Sequence, residues 1–246
     1  VAAARLAQLI RERQPVVALT GAGVSTESGI PDFRSADGIW ARYDPMEYAT
    51  IEAFRRDPRK VWEFYGVRLR VLAEAEPNDA HLALAELESR GLLQAVVTQN
   101  IDALHERAGS KDVVEVHGSI REAVCLVDGT RVPRAEVVRL VDELGAPPCP
   151  RCGAILKPDV VMFGELLPGP AIDRATRLAR DARLLLVVGS TLEVWPVAGL
   201  PHKTLAGGGI VAIVNRGPTA FDSYAALKLD ESAGAALESV VAALPG

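Results

Sequence analysis

A glycine pair directly behind an apolar run is where this chain first offers chemistry. Val16-Val17-Ala18-Leu19-Thr20 reads as a buried strand, and Gly21-Ala22-Gly23-Val24-Ser25-Thr26 follows it. Two closely spaced glycines present bare backbone N–H groups to a phosphate, because a Cβ would block the approach. The spacing suggests a dinucleotide site, although Thr26 stands where the G-x-G-x-x-G fingerprint has its third glycine. After a second apolar run comes Thr98-Gln99-Asn100-Ile101-Asp102. Asn100 and Asp102 can offer an amide and a carboxylate to a ligand, or cap a helix. His117 follows Val113-Val114-Glu115-Val116 and precedes Gly118. An imidazole there can take a proton near neutrality, although a lone histidine also serves structural ends. Gly189-Ser190-Thr191 and Asn215-Arg216-Gly217 end two further apolar runs with groups suited to phosphate or ribose.

Three other constellations stand apart. Cys125-Leu126-Val127-Asp128 and Cys149-Pro150-Arg151-Cys152 pair three thiols and a carboxylate at spacings used for metal or redox chemistry. Lys157-Pro158-Asp159-Val160-Val161-Met162-Phe163-Gly164-Glu165 is either a core strand or an extended segment offering its main chain to a peptide. Tyr65 and Arg68, three apart, share a helix face. There an arginine can face a carboxylate, or lie on the surface beside a core tyrosine.

The elements that must position these residues follow from periodicity. Helices are expected over 2–13, 58–76, 79–90, 171–181, 197–207 and 233–243, with Asp57 capping the second and Pro58 at its first position. Strands are expected over 16–20, 94–98, 113–116, 183–189 and 210–215. Short continuous apolar strands alternating with helices mean an α/β fold, a parallel sheet covered on both faces. Ligands of such sheets bind at the strands' carboxyl ends, where every motif except the cysteine pair is expected. Between about 119 and 158 the alternation breaks, which reads as a small inserted module.

Composition narrows the function. A chain of 246 residues with 49% hydrophobic content can bury a sizeable core. Its net charge of −5 gives no basic field to draw in nucleic acid. No apolar run reaches a membrane span and no secretory pattern opens the chain, so a soluble cytoplasmic protein is expected. Three cysteines cannot form a full disulfide framework, in keeping with a reducing compartment.

The string from Gly21 to Arg34, which ends Ser28-Gly29-Ile30-Pro31-Asp32-Phe33-Arg34, resembles the sirtuins, NAD-dependent lysine deacylases. The resemblance runs in the family's order from Val16 to about Ala233. It implies a Rossmann-like NAD domain over 1–118 and 159–246 and a small zinc-ribbon-like module over 119–158, with the helical stretch 54–76 packed on the module. It implies that Asn100 and Asp102 bind the carboxamide and ribose of NAD, helped by Ser25, Ile30 and Asp32. Gly21, Ala22, Gly23, Thr26, Phe33, Arg34, Gln99 and Ile101 would touch the cofactor. So would Gly189, Ser190, Thr191, Asn215, Arg216, Ser232 and Ala233. His117 becomes the general base. Val160, Val161, Phe163, Gly164 and Glu165 become the site for an acyl-lysine protein or peptide. Tyr65 and Arg68 resemble the clamp for acidic acyl groups in one subgroup, while Gly217-Pro218-Thr219-Ala220-Phe221-Asp222 resembles plain deacetylases. The family commonly holds structural zinc with two Cys-x-x-Cys pairs; here Asp128 replaces one cysteine, leaving Cys125, Asp128, Cys149 and Cys152 as ligands. Protein ADP-ribosylation, or NAD or ADP-ribose binding without catalysis, are the alternative activities.

Overall fold

The computed structural model describes residues 1–245. Its helices are α1 (Ala2–Glu12), α2 (Pro45–Tyr48), α3 (Ile51–Arg56), α4 (Pro58–Glu74), α5 (Asp79–Ser89), α6 (Leu104–Ala108), α7 (Arg134–Leu144), α8 (Gly169–Asp181), α9 (Leu200–Ala206) and α10 (Ala233–Ala242). The strands are β1 (Val16–Thr20), β2 (Ala95–Thr98), β3 (Val113–Glu115), β4 (Gly118–Val124), β5 (Arg131–Pro133), β6 (Lys157–Val160), β7 (Leu184–Val188), β8 (Ile210–Val214) and β9 (Leu227–Leu229).

Six strands form one sheet in the order β3-β2-β1-β7-β8-β9, every neighbouring pair parallel. Counted within the sheet this is the Rossmann order 3-2-1-4-5-6, whose direction of winding reverses between β1 and β7. Thr20 lies level with both Thr98 and Val188, so the loops leaving β1, β2 and β7 start at one height. That alignment builds the site.

Every residue of β1 and of β7 is buried, as a sheet covered on both faces requires. Alternate residues serve opposite cores. Val16, Ala18, Leu184 and Leu186 pack with Leu6 and Ile10 of α1, Leu84 of α5 and Leu237 of α10. Val17, Leu19, Leu185 and Val187 pack with Ala175 and Ala179 of α8 and Leu200 of α9. A third core joins Phe54, Trp62, Phe64 and Leu69 of α3 and α4 to Ile120, Ala123, Val137 and Leu156. The Trp62 indole N–H donates to the Leu156 carbonyl at 2.7 Å, tying α4 to the chain just before β6. Asp57 caps α4 by accepting the Lys60 N–H at 3.1 Å, with Pro58 in the first turn.

Several expectations need correction. The stretch 119–158 holds a regular helix, α7, whose Val137 and Val141 share a face at a spacing of four. The 160–165 segment does not leave a strand of the parallel sheet. Its strand, β6, pairs antiparallel with β4 in a separate three-stranded sheet, β5-β4-β6. The expected helix over 197–207 divides into a 3-10 turn, Val197–Gly199, and α9. The expected helix over 58–76 stops at Glu74. No helix among the described residues is long and apolar enough to cross a membrane.

Candidate active site

The loops after β1 and β7 touch backbone to backbone. The Gly23 N–H donates to the Gly189 carbonyl at 2.8 Å, and a Cβ on Gly23 would sit 2.8 Å from the Gly189 Cα. Gly189 is left-handed, with φ +61°, and a Cβ there would sit 2.2 Å from the Val24 nitrogen. Glycine at these positions is a matter of contact, and it opens the switch point of the sheet to a ligand. Next to Gly189, Leu192 also has positive φ, 58°, unusual for a residue with a branched side chain.

A buried polar network fills the space between these loops and β2. Asn100 donates from Nδ2 to the Gly21 carbonyl and to Ser25 Oγ, both at 3.1 Å. Ser25 Oγ in turn donates to Asp102 Oδ2 at 2.8 Å, while Asp102 Oδ1 accepts the Leu104 N–H at 3.0 Å. Gln99 Nε2 donates to Ser190 Oγ at 3.0 Å. Asp32 Oδ1 accepts the N–H groups of Arg34 and Ser35 and so shapes the loop in front of the network. Across the mouth, Arg34 forms an ion pair with Glu193 at 3.5 Å. Asn215 Nδ2 donates to the Arg216 carbonyl at 2.9 Å, curling the loop after β8 toward the same opening.

His117 Nδ1 lies 2.9 Å from the Gln99 carbonyl. A carbonyl can only accept, so the neutral ring carries its proton on Nδ1 and keeps a free lone pair on Nε2. Burial lowers the His117 pKa from its ordinary 6.5, against the opposing pull of that carbonyl. The ring is therefore neutral at pH 7, with one nitrogen ready to accept a proton.

These residues line one cavity of about 1210 Å³. That exceeds the roughly 300–1000 Å³ usual for a drug-sized ligand, leaving room for a dinucleotide and a second reactant. The expected cofactor positions all border it: Gly21, Ala22, Gly23, Ser25, Thr26, Ile30, Asp32, Phe33 and Arg34 from the first loop, Gln99, Asn100, Ile101 and Asp102 from the second, and His117. Gly189, Ser190, Thr191, Asn215, Arg216, Ser232 and Ala233 border it from the far half of the sheet. The expected peptide-site residues Val160, Val161, Phe163, Gly164 and Glu165 border it too, as do Tyr65 and Arg68. Arg68 forms no salt bridge among the described residues; its guanidinium lies 5.0 Å from the Phe33 ring centre and 5.5 Å from that of Phe64. Burial lowers the Arg68 pKa and pushes the Tyr65 phenol up to about 12.

Sequence reasoning missed His81. Its Nε2 lies 3.4 Å from Ser25 Oγ, and its Nδ1 accepts the Asn78 N–H at 3.2 Å. Behind it, His105 Nε2 lies 2.9 Å from Thr20 Oγ1, which donates to Thr98 Oγ1. Burial lowers the pKa of His81 to about 4 and of His105 to about 3. Both stay neutral in the folded chain while their unfolded forms protonate below about pH 6.5. Stability is therefore lost as pH falls below that value. Glu27 was also missed: its Oε2 accepts the Gly234 N–H at 2.8 Å, linking the first loop to the start of α10.

The cysteine cluster lies outside the cavity. One ligand atom from each of Cys125, Asp128, Cys149 and Cys152 lies within 4.8 Å of the others. Cys125 Sγ is 3.5 Å from Cys152 Sγ, and Cys149 Sγ is 3.6 Å from Asp128 Oδ2. Two thiolates at ~2.3 Å on a tetrahedral zinc would be about 3.8 Å apart, so the set has the right size. The Thr130 N–H donates to Asp128 Oδ1 at 2.9 Å and holds that carboxyl well below the usual carboxylate range.

Known proteins match this arrangement along its length. The model of the Sir2 family matches residues 21–196. An NAD-dependent protein deacetylase of Caldivirga maquilingensis is 46% identical, over 98% of this chain and 93% of its own. An NAD-dependent protein deacylase of Pyrococcus furiosus is 44% identical, over 96% and 95%. A Sir2 histidine-to-alanine variant, in complex with a deacetylated p53 peptide and 3'-O-acetyl ADP ribose, superposes with a TM-score of 0.95 at 38% identity, each chain fully covered. A Sir2 enzyme bound to a propionylated peptide gives 0.89 at 38% identity, covering 97% of this chain and 96% of that one. With relatives this similar over nearly its whole length, the chain belongs to the Sir2 family.

Proposed function

We propose that this protein removes acyl groups from protein lysine side chains, with NAD consumed as co-substrate and the acyl group leaving on ADP-ribose. The observation that carries the reading is His117, a neutral ring with its proton on Nδ1, lining the same cavity as the glycine loops. A site for binding alone has no need of such a base. NAD supplies an activated glycosidic bond to nicotinamide, and the chain's own residues do the rest. Asn100 and Asp102, held by Ser25, orient the carboxamide and ribose. The glycine loops after β1 and β7 receive the phosphates. With NAD bound, His117 Nε2 would accept a proton from a ribose hydroxyl as the general base. The 161–165 segment receives the peptide main chain, and Val160, Val161 and Phe163 flank the lysine stem.

Incubation with NAD and an acetyl-lysine peptide, read by mass spectrometry, tests the reading. Deacylated peptide together with nicotinamide supports it. ADP-ribose attached to protein would mean ADP-ribosyl transfer instead, and unchanged reactants would mean a binding module.

Arg68 supports activity on acidic acyl groups, because a cavity-lining guanidinium with no salt bridge among the described residues is satisfied by a carboxylate. A hydrogen bond to a charged group contributes about 1.5–3 kcal/mol. Arg68→Met is therefore expected to lower kcat/KM for succinyl-lysine roughly 10–150-fold and leave acetyl-lysine within about threefold. Equal losses on both peptides would end the clamp.

The cysteine cluster fits a structural zinc. Three thiolates and one carboxylate carry the formal charge of four thiolates, and a carboxylate oxygen is an ordinary zinc ligand. This metal would hold the 119–158 module together, which in this reading stands beside a large unit of 1–118 and 159–246, with 54–76 packed against it. Asp128→Ala is expected to strip zinc from the purified protein on dialysis, measured as metal content per chain, and to lower Tm. Full zinc retention would exclude Asp128 as a ligand.

A further inference from the structure

Lys157 is 4% exposed, and its ammonium has three N–H donors to satisfy. They go to the Pro158 carbonyl at 3.1 Å, the Val160 carbonyl at 2.6 Å and Glu165 Oε2 at 2.9 Å. The same Glu165 oxygen accepts the Met162 N–H at 2.8 Å. One charge pair, with the Lys157 side chain 5% and the Glu165 side chain 24% exposed, thus grips the 158–165 stretch at both ends and in the middle. The grip bears directly on the catalytic wall. The Val161 N–H donates to the His117 carbonyl at 2.8 Å, and Phe163 exchanges hydrogen bonds with Ala49 and Ile51 at 2.9 and 3.0 Å.

Apolar packing does not account for this design. A buried ion pair contributes little net stability over a well-packed apolar pair, whereas its directed hydrogen bonds fix backbone positions. Glu165 Oε2 is committed internally to Lys157 and Met162.

We infer that Lys157 and Glu165 are positioning residues that hold the 160–164 backbone in register for the substrate peptide. They act through the Val160 and Met162 main chain rather than by touching substrate. The inference rests on the peptide-site reading of this segment.

The test compares Lys157→Met/Glu165→Leu with the wild type, measuring Tm, the Kd for NAD, and peptide KM and kcat. The double variant removes both charges together, so no unpaired ion is left behind. A misplacement of about 1 Å can cost on the order of 100-fold. Expected are a Tm near the wild-type value, NAD affinity within about twofold, and a peptide KM raised roughly 10- to 100-fold, the scale of such a displacement. A peptide KM within about threefold of wild type overturns the inference, as does an NAD affinity that falls by the same factor as the peptide's; these bounds sit well below that scale. Should the double variant not accumulate, Glu165→Gln keeps the volume and the acceptor for Met162 but not the charge. Raised peptide KM with unchanged NAD affinity then supports the inference, and unchanged peptide KM overturns it. Phe163→Ala separates the two readings. If it raises peptide KM while the Lys157/Glu165 variants do not, only the positioning role fails. If it leaves peptide KM unchanged, the peptide-site reading itself fails.

Discussion

His117→Ala is expected to lower deacylation by about 10²–10⁴-fold, the range that general bases supply, while NAD binding and Tm stay near wild type. The argument is local. The ring makes one hydrogen bond to the protein, from Nδ1 to the Gln99 carbonyl, and its removal leaves the strands and glycine loops in place. What disappears is the free lone pair on Nε2. The same geometry sets the acid limb of the wild-type pH profile. Because burial favours the neutral ring, the base stays unprotonated down to a pH below the ordinary histidine value of 6.5, and activity falls only as pH drops through the lowered pKa. Stopped-flow or discontinuous assays across pH 5–8, about the window in which an unperturbed histidine titrates, check both statements. Full turnover by the alanine variant would remove His117 from the reaction.

Gly189→Ala is expected to damage both stability and NAD binding. The left-handed backbone at Gly189 costs an L-residue about 1–2 kcal/mol, and forcing a methyl into a packed site costs about 1–3 kcal/mol more. Here the obstruction is the Val24 nitrogen, 2.2 Å from the added carbon, so backbone has to move. A combined loss of roughly 2–5 kcal/mol corresponds to a fall in Tm of roughly 4–20 °C for a chain this long. The displacement separates the two loops that the switch point brings together, so NAD affinity drops as well. Gly129 is the control: its φ is +74°, but nothing lies within 4 Å of an added Cβ. Alanine there carries the backbone cost alone and leaves NAD affinity unchanged. Differential scanning calorimetry and NAD titration on both variants give the comparison, and equal effects at the two positions would contradict it.

The parallel sheet was legible because the runs at 16–20 and 184–188 are apolar without interruption, as doubly covered strands must be. β9 was not, since Leu227-Lys228-Leu229 is three residues with a lysine in the middle. That lysine stem lies along the sheet edge while its ammonium reaches Asp222 and the Gly217 carbonyl. α7 was overlooked although its Val137 and Val141 carry the period. The surrounding charges, Arg139 with Glu136 and Glu143, are an exposed helix face laced by ion pairs rather than a sign of irregular chain. The strand order was beyond the sequence, because register and neighbour choice are set by contacts across the whole sheet.

At the site, the loops were legible from Gly21, Gly23 and the strand ends. His81 was not. Its surroundings depend on Ser25, 56 positions away, and on Asn78 capping α5, so locally it reads as one more residue in the first turn of a helix. The role of Glu27 at the start of α10 is hidden in the same way by a separation of 207 positions. The 157–165 stretch stood out by its residues, while its pairing with β4 in a second sheet came only from the fold.

One measurement bears on the whole account: a crystal structure of the protein with NAD and an acyl-lysine peptide. The expected result has the nucleotide across the tips of β1, β2 and β7, with His117 Nε2 about 2.6–3.2 Å from a ribose hydroxyl, or joined to it by one water. A nucleotide bound elsewhere, or an Nε2 that faces protein while the ribose lies out of its reach, would contradict it.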